Sequence, residues 1–294
     1  PIMKNFNFRN PTRILFGKGT IADIKDHVPA DARVLVLYGG GSAERTGVLA
    51  QVRDALSAHT FYEFGGIEPN PRYATALKAV ETIREKDVTF VLAVGGGSVI
   101  DAAKFIAAAA DYDGDPWEIL TTRGSVITRA IPFGTVLTLP ATGSEMNSGA
   151  VITNAEKGAK LPFSSPHCYP TFSVLDPEVP YTLPPRQVAN GVVDAFVHTV
   201  EQYLTYPVSA FVQDGFAETL LRTLIELGPK ALETPDDYDT RANLMWTATM
   251  ALNGLIGAGV PQDWATHMIG HEITALNDTD HARTLAIVLP SLLN

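Results

Sequence analysis

The sequence predicts an α/β domain followed by an all-helical one, and three observations carry that prediction. Through the first part of the chain, short apolar runs alternate with helix-like segments. This is the pattern of a parallel sheet, because parallel neighbours need a crossover between them. Two of the runs end in the same Gly-Gly-Gly-Ser turn, at 39–42 and at 95–98. After Pro184-Pro185 the texture changes to long segments of helical period. Two domains are therefore expected, residues 1–184 and 185–294, and 294 residues suit two domains of ordinary size.

Residues 33–38 form an apolar run long enough for a buried strand, and the first glycine turn ends it. Residues 48–58 read as a helix and 61–64 as a short strand closed by Gly65-Gly66. Pro69-Asn-Pro71 then breaks the chain before a helix over 72–86. Residues 88–94 are the strongest strand, followed by the second glycine turn and an Ala-rich helix over 99–110. Another apolar run, 133–139, leads into Pro140-Ala-Thr-Gly-Ser144. Residues 151–185 are rich in proline and turn residues, with short extended pieces such as 172–175. Beyond them, helices are expected over 188–204, 210–227, 241–255 and 262–276. Pro185 serves as a start signal and Gly228-Pro229 as the stop of the second helix.

Bulk composition excludes several classes. A net charge of −10 with no Lys/Arg cluster argues against nucleic acid and anionic membrane surfaces. The longest apolar stretches, 88–94 and 105–110, are too short to span a bilayer. Cys168 is the only cysteine, so no internal disulfide forms and no oxidising compartment is needed. A cytoplasmic protein is the expectation.

Asp194 with His198, and His267 with His271, are spaced i, i+4 in helix-like sequence, and His281 lies beyond. Each pair puts two side chains on one helix face, a turn apart. A carboxylate and several imidazoles drawn from two facing helices can hold a divalent transition metal. A lone histidine is more often a satisfied core group. Five such residues in two spaced groups, in a chain with only seven histidines, turn the reading toward a metal site. Spacing alone does not choose among the five.

The turn of Gly95, Gly96, Gly97 and Ser98 sits between a strand and a helix, where free backbone amides can hold a phosphate. Neither glycine turn matches G-x-G-x-x-G, since position 100 is Ile and position 44 is Glu. Either could be only a tight turn. Two of them in one sheet, with Thr138, Thr142 and Asn147 after another strand, suit a dinucleotide. Asp101 is read as a helix-start preference, and Lys104 as a solvated charge or a support for the turn. An acidic side chain on the adenosine ribose would repel a 2′-phosphate. After residues 33–38 the chain instead offers Gly39, Gly40, Gly41 and Ser42, so NADP(H) is the expected cofactor.

The stretches 95–104, 139–145, 191–198 and 267–271, with His281, resemble the iron-containing (group III) alcohol dehydrogenase family. The similarity covers essentially the whole chain and extends through 64–71 and 182–190, toward its aldehyde reductase and butanol dehydrogenase subgroup. The resemblance implies a dehydroquinate synthase-like fold, a Rossmann-like parallel-sheet domain followed by an all-helical metal-binding domain. It implies metal ligation by Asp194, His198, His267 and His281, and one divalent ion, Fe2+ or Zn2+. His271 is left as a proton-handling residue beside the substrate, so that His267 and His271 are the expected catalytic histidines. Cofactor contacts are implied at the 95–98 turn, Asn70, Thr138, Thr142, Asn147 and Lys160.

The implied reaction is metal- and NADPH-dependent reduction of aldehydes to primary alcohols, the metal polarising the carbonyl for hydride transfer, in a homodimer. Phe196, Trp246, Leu252, Ile256 and Trp264 either line an apolar substrate pocket or are plain core. A dehydroquinate synthase-like lyase and a glycerol dehydrogenase-like polyol oxidoreductase are the alternatives; the lyase needs a basic pocket, and Lys and Arg are sparse around Asp194 and His267. A metallohydrolase of the H-E-x-x-H type is set aside because Met268 stands where its Glu would be. Two departures stand out. Ala282 follows His281 where the family commonly has Gly, and Asn294 ends the chain directly after the apolar run 285–293, where relatives continue. The resemblance therefore implies that the final helices of the helical domain are missing.

Overall fold

The apolar runs of the first half assemble into one six-stranded sheet, every neighbouring pair parallel. In the computed structural model, which describes residues 1–294, its strands are β1 (Arg13–Phe16), β2 (Arg33–Tyr38), β3 (Thr60–Phe64), β4 (Phe90–Gly95), β5 (Phe133–Leu137) and, last in the chain, β8 (Phe172–Leu175). Two further strands, β6 (Gly149–Asn154) and β7 (Ala159–Ser164), pair as a separate antiparallel hairpin. The helices of this half are α1 (Ser42–Arg45), α2 (Val48–Ala55), α3 (Tyr73–Glu85), α4 (Gly97–Ala110) and α5 (Trp117–Thr121).

Side chains alternate across each strand, so one sequence feeds two cores. Leu35, Leu37, Val91 and Ala93 face α3 and α4, while Val34, Val36, Leu92 and Val94 face α2. Covered on both sides, β4 is buried at every residue, as a central parallel strand must be. The strand order is β1-β8-β5-β4-β2-β3. From β2 the chain crosses to β3 on one side, and β4 then lies on the other side of β2. The order thus reverses between β2 and β4, and open α/β sheets bind ligands outside the carboxyl ends of such a pair. The two glycine turns leave the sheet at that point, with Tyr38 in register with Val94.

The sequence reading leaves two parts of this half unassigned or blurred. β1 is an edge strand whose partner, β8, lies far along the chain. The proline-rich stretch before residue 185 contains β6, β7 and β8, with Pro162 accommodated inside β7. Pro162 sits on a hairpin strand with only one neighbour, where a missing N–H is tolerated.

The helical half consists of α6 (Pro185–Tyr203), α7 (Phe211–Glu233), α8 (Tyr238–Ala251), α9 (Ala265–Asn277) and α10 (His281–Leu292). Contrary to the expectation from the sequence, Gly228-Pro229 does not stop the second of these; α7 runs on to Glu233. Pro229 deprives the Ile225 carbonyl of its helical partner, but Ile225 is exposed and water can satisfy it. Gly228 meanwhile packs close to Val192 of α6. None of these helices is long and apolar enough to cross a membrane.

Candidate metal centre

Two close approaches bring the site together. Gly191 lets α6 approach the loop after β5 so closely that any side chain there would strike the Pro140 carbonyl. Gly270 does the same between α9 and α10, where a Cβ would stand 2.6 Å from Thr284 Oγ1. The first contact fixes α6, from which Asp194 and His198 meet His267 and His281; the second sets His281, the first residue of α10, beside His267 and His271.

One ligand atom from each of Asp194, His198, His267 and His281 lies within 4.8 Å of every other. From Asp194 Oδ1 the Nε2 atoms of His281, His267 and His198 stand at 3.1, 3.4 and 3.7 Å. Donors about 2.0–2.2 Å from a tetrahedral ion are roughly 3.4 Å apart, so these spacings suit one. Both Asp194 oxygens and His267 Nε2 are buried without a hydrogen-bond partner. A dry carboxylate left unsatisfied is costly, and a cation at the centre of the four atoms satisfies it. The donor set fits the metal implied by the sequence.

Electrostatics support the same point. Burial works against the Asp194 charge, but the surrounding imidazoles overcome it and hold the carboxyl well below its usual range. Burial holds His198 neutral, down to about 3. Burial also presses on His267, yet Asp194 and Glu201 on either side raise it to about 9. Metal uptake therefore displaces one proton from His267 and none from His198. The metal-free protein carries that proton below about pH 9, so cation affinity should rise about tenfold per pH unit from 7 to 9 and level off above. Chelator-competition titrations at a series of pH values check this; a flat profile over that window would contradict it.

His271 lies outside the four-atom group, its ring stacked on His281 at 5.5 Å between centroids. Burial, with Lys160 nearby, pushes it down to about 2. A ring held neutral can relay a proton but does not store one at neutral pH, which narrows the proton-handling role expected of it. Of the five apolar residues singled out in the sequence, Trp264 packs against the rings of His198 and His267. Trp246 instead packs edge-on against Phe16, and Phe196 and Ile256 pack in the helical core.

The expected cofactor residues gather at the switch point. Gly39 lies against Val99 of α4, which joins the two glycine turns, and Gly40 and Ser42 follow it. Thr138 donates its backbone N–H to the Gly95 carbonyl at 3.0 Å, and Thr142 packs on Gly97. Ser98 Oγ donates to the Pro69 carbonyl. Gly96 opens α4 as its N-cap. Asn70 accepts from Lys160 Nζ at 3.3 Å and donates to Asp278 at 2.9 Å, bridging from the sheet domain to the end of α9. Lys160 is buried and thereby pushed down to about 8.

Asn147 lies in the loop between β5 and β6. Its Nδ2 donates to the carbonyls of Gly143 and Leu252, and its Oδ1 accepts from Lys104 Nζ and Gly149 N–H. Through the Leu252 bond that amide ties its loop to the helical domain. Lys104 is no solvated charge: it is fully buried and donates to the 144–149 loop.

One residue went unread in the sequence: Glu201, buried on α6, whose carboxylate meets His267 Nδ1. Asp194, His198 and Glu201 run i, i+4, i+7 along one helix face, and that spacing was the available signal.

A switch-point sheet set against a helical domain that carries such a donor set suits an enzyme that combines a nicotinamide with a divalent metal. The chain belongs to the iron-containing alcohol dehydrogenase family, whose model matches residues 11–177 while the model of the family's C-terminal part matches 188–294. It is 66% identical to the NADPH-dependent aldehyde reductase YqhD of Escherichia coli (strain K12), over 99% of this chain and 76% of that protein. With the NADH-dependent butanol dehydrogenase B of Clostridium acetobutylicum the identity is 45%, over 98% and 75%. The crystal structure of E. coli K-12 YqhD superposes with a TM-score of 0.98, covering 99% of this chain and 75% of that one.

Proposed function

We propose that this protein reduces aldehydes to primary alcohols with NADPH, holding one divalent metal, Fe2+ or Zn2+, on Asp194, His198, His267 and His281. The observation that carries the reading is the dry, unpartnered Asp194 carboxylate ringed by three imidazole Nε2 atoms. The 66% identity to an NADPH-dependent aldehyde reductase supplies the substrate class. Bound there, the cation would polarise a carbonyl oxygen, and the nicotinamide would supply the hydride.

The chain's own residues do the rest. Residues 1–184 bind the dinucleotide, with Gly95, Gly96, Gly97 and Ser98 offering the unpaired first amides of α4 to its phosphates. Thr138, Thr142, Asn70 and Lys160 line the approach to residues 185–294, which supply the metal donors. His271 passes a proton through a neutral ring, its Nδ1 being without a partner in the protein. A cytoplasmic homodimer completes the proposal; the one cysteine is buried and free, and sedimentation velocity tests the assembly.

Preference for NADP(H) has a structural basis beyond the glycines. Arg45 Nη1 lies 3.4 Å from where a side chain on Gly41 would begin. Its neighbour Glu44 is drawn away to Arg53 at 2.8 Å, and Arg53 also holds Glu63 at 2.7 Å. The nearby acids are thus paired, and a guanidinium is left at the carboxyl end of β2 for a 2′-phosphate. Arg45→Ala should weaken NADPH binding about tenfold, in keeping with one exposed charged hydrogen bond, and leave NADH binding unchanged. Fluorescence titration of the reduced nicotinamide checks both halves.

The experiment for the function as a whole is coenzyme consumption over a panel of aldehydes, with NADPH or NADH, with and without chelator. Turnover with NADPH that chelator abolishes and added metal restores is the expected result. Turnover indifferent to chelator, or a clear preference for NADH, would overturn the metal or the cofactor assignment respectively.

A further inference from the structure

We infer that Glu201 is a positioning residue for the metal: it fixes the tautomer and ring orientation of His267 and supplies the second of two buried carboxylates that balance a divalent charge. The inference rests on the reading that Asp194, His198, His267 and His281 hold a cation.

Three contacts define the role. One carboxylate oxygen of Glu201 meets His267 Nδ1, and the other accepts the His267 backbone N–H at 3.2 Å. The Glu201 carbonyl accepts from Asp263 N–H at 2.9 Å, so the segment entering α9 is tied to α6 at the same place. Trp264 closes the third side of the ring, edge-on at 5.4 Å between centroids. Held this way, the imidazole donates its Nδ1–H to Glu201, and Nε2, 3.4 Å from Asp194 Oδ1, is the atom that would face a cation bound between them. A histidine ligand whose second nitrogen donates to a carboxylate is both oriented and made more basic.

Charge gives the second argument. Asp194 and three neutral imidazoles leave a divalent cation with one uncompensated positive charge in a nearly dry site. A buried net charge is expensive unless a partner stands close. Glu201, 5% exposed and one ring away, brings the sum to zero. A purely structural Glu201 would need only the backbone bond from His267, and that bond requires no charge.

Glu201→Gln separates the two roles. It keeps the size and one acceptor oxygen for the backbone N–H, loses the charge, and can present an amide N–H to Nδ1, which favours the wrong tautomer. The test is competition of the full-length wild-type and variant proteins against a chelator for Zn2+, with the visible spectrum of the Co2+-loaded forms as the signature of donor geometry. The expected result is a Zn2+ Kd raised 10- to 100-fold, the range typical of lost ligand supports, and an altered Co2+ spectrum. Glu201→Asp keeps the charge and should stay within about tenfold of the wild type. A Gln variant that binds Zn2+ within twofold of the wild type with an unchanged Co2+ spectrum overturns the inference. So does an Asp variant as impaired as the Gln one. A wild-type protein that fails to bind Zn2+ or Co2+ refutes the underlying metal assignment instead, which keeps the two failures distinct.

Discussion

Asp194→Asn is expected to strip the cation from the protein and lower kcat/KM for aldehyde reduction on the order of 10³-fold, with NADPH binding unaltered. Asp194 is the only carboxylate among the four donors, and it is almost wholly buried. Asparagine keeps the shape but loses the charge, and its amide N–H groups would point at imidazole nitrogens that must themselves face the ion. A bound cation contributes several kcal/mol to polarising a carbonyl, and each 1.36 kcal/mol is a factor of ten in rate. NADPH binding survives because the 95–98 turn and its neighbours belong to the sheet domain and do not touch Asp194. Metal content by mass spectrometry, kcat/KM and coenzyme titration on one preparation check all three statements. A variant that keeps stoichiometric metal and the parent rate would dismiss this donor set as the catalytic one.

How much of this site could be read from the chain depends on the range of the interaction that creates each part. The i, i+4 pairs on α6 and α9 are local, and so are the two glycine turns; each follows from helix or strand geometry over a few residues. That His281, and not His271, joins Asp194, His198 and His267 is decided by how α10 crosses α9 at Gly270 and Thr284, a tertiary contact with no periodic signature. The same holds for β1, whose four residues become a strand only by pairing with β8 more than 150 positions later. Pro229 misled for the converse reason: local chemistry says stop, while packing of Gly228 on Val192 keeps α7 going. Asn147 and Lys104 were legible as polar residues near a turn, but not as partners in one hydrogen-bond network. The sequence carries their chemistry; only the fold shows that they spend it on each other.

The network around buried Lys104 carries the other large expected effect. Lys104→Met should destabilise the protein by about 3–5 kcal/mol, the cost of leaving a buried charge without its partner. At roughly 2–4 °C per kcal/mol for a domain of this size, the Tm should fall by about 10 °C. Lys104 Nζ donates to Ser144 Oγ at 2.8 Å, to Asn147 Oδ1 at 2.8 Å and to the Gly149 carbonyl at 2.9 Å. Three acceptors match the three protons of an ammonium. Burial pushes the group down to about 8 against the pull of Asp101, which leaves it charged at pH 7. Asp101 accepts from Ser144 Oγ at 2.6 Å and from Val151 N–H at 3.0 Å, and burial raises its pKa against the opposing pull of Lys104. Removing Lys104 therefore orphans the Asp101 charge and also frees Asn147, which ties the loop to Leu252 of the helical domain. If the pair acts as a unit, adding Asp101→Asn to Lys104→Met should cost less than the sum of the single changes, by about 1–3 kcal/mol. Urea denaturation of the four proteins in that cycle measures the coupling. An exposed lysine would cost within about 0.5 kcal/mol, so a small, additive loss would mean that the 144–149 loop stands without this buried ammonium bonded to it.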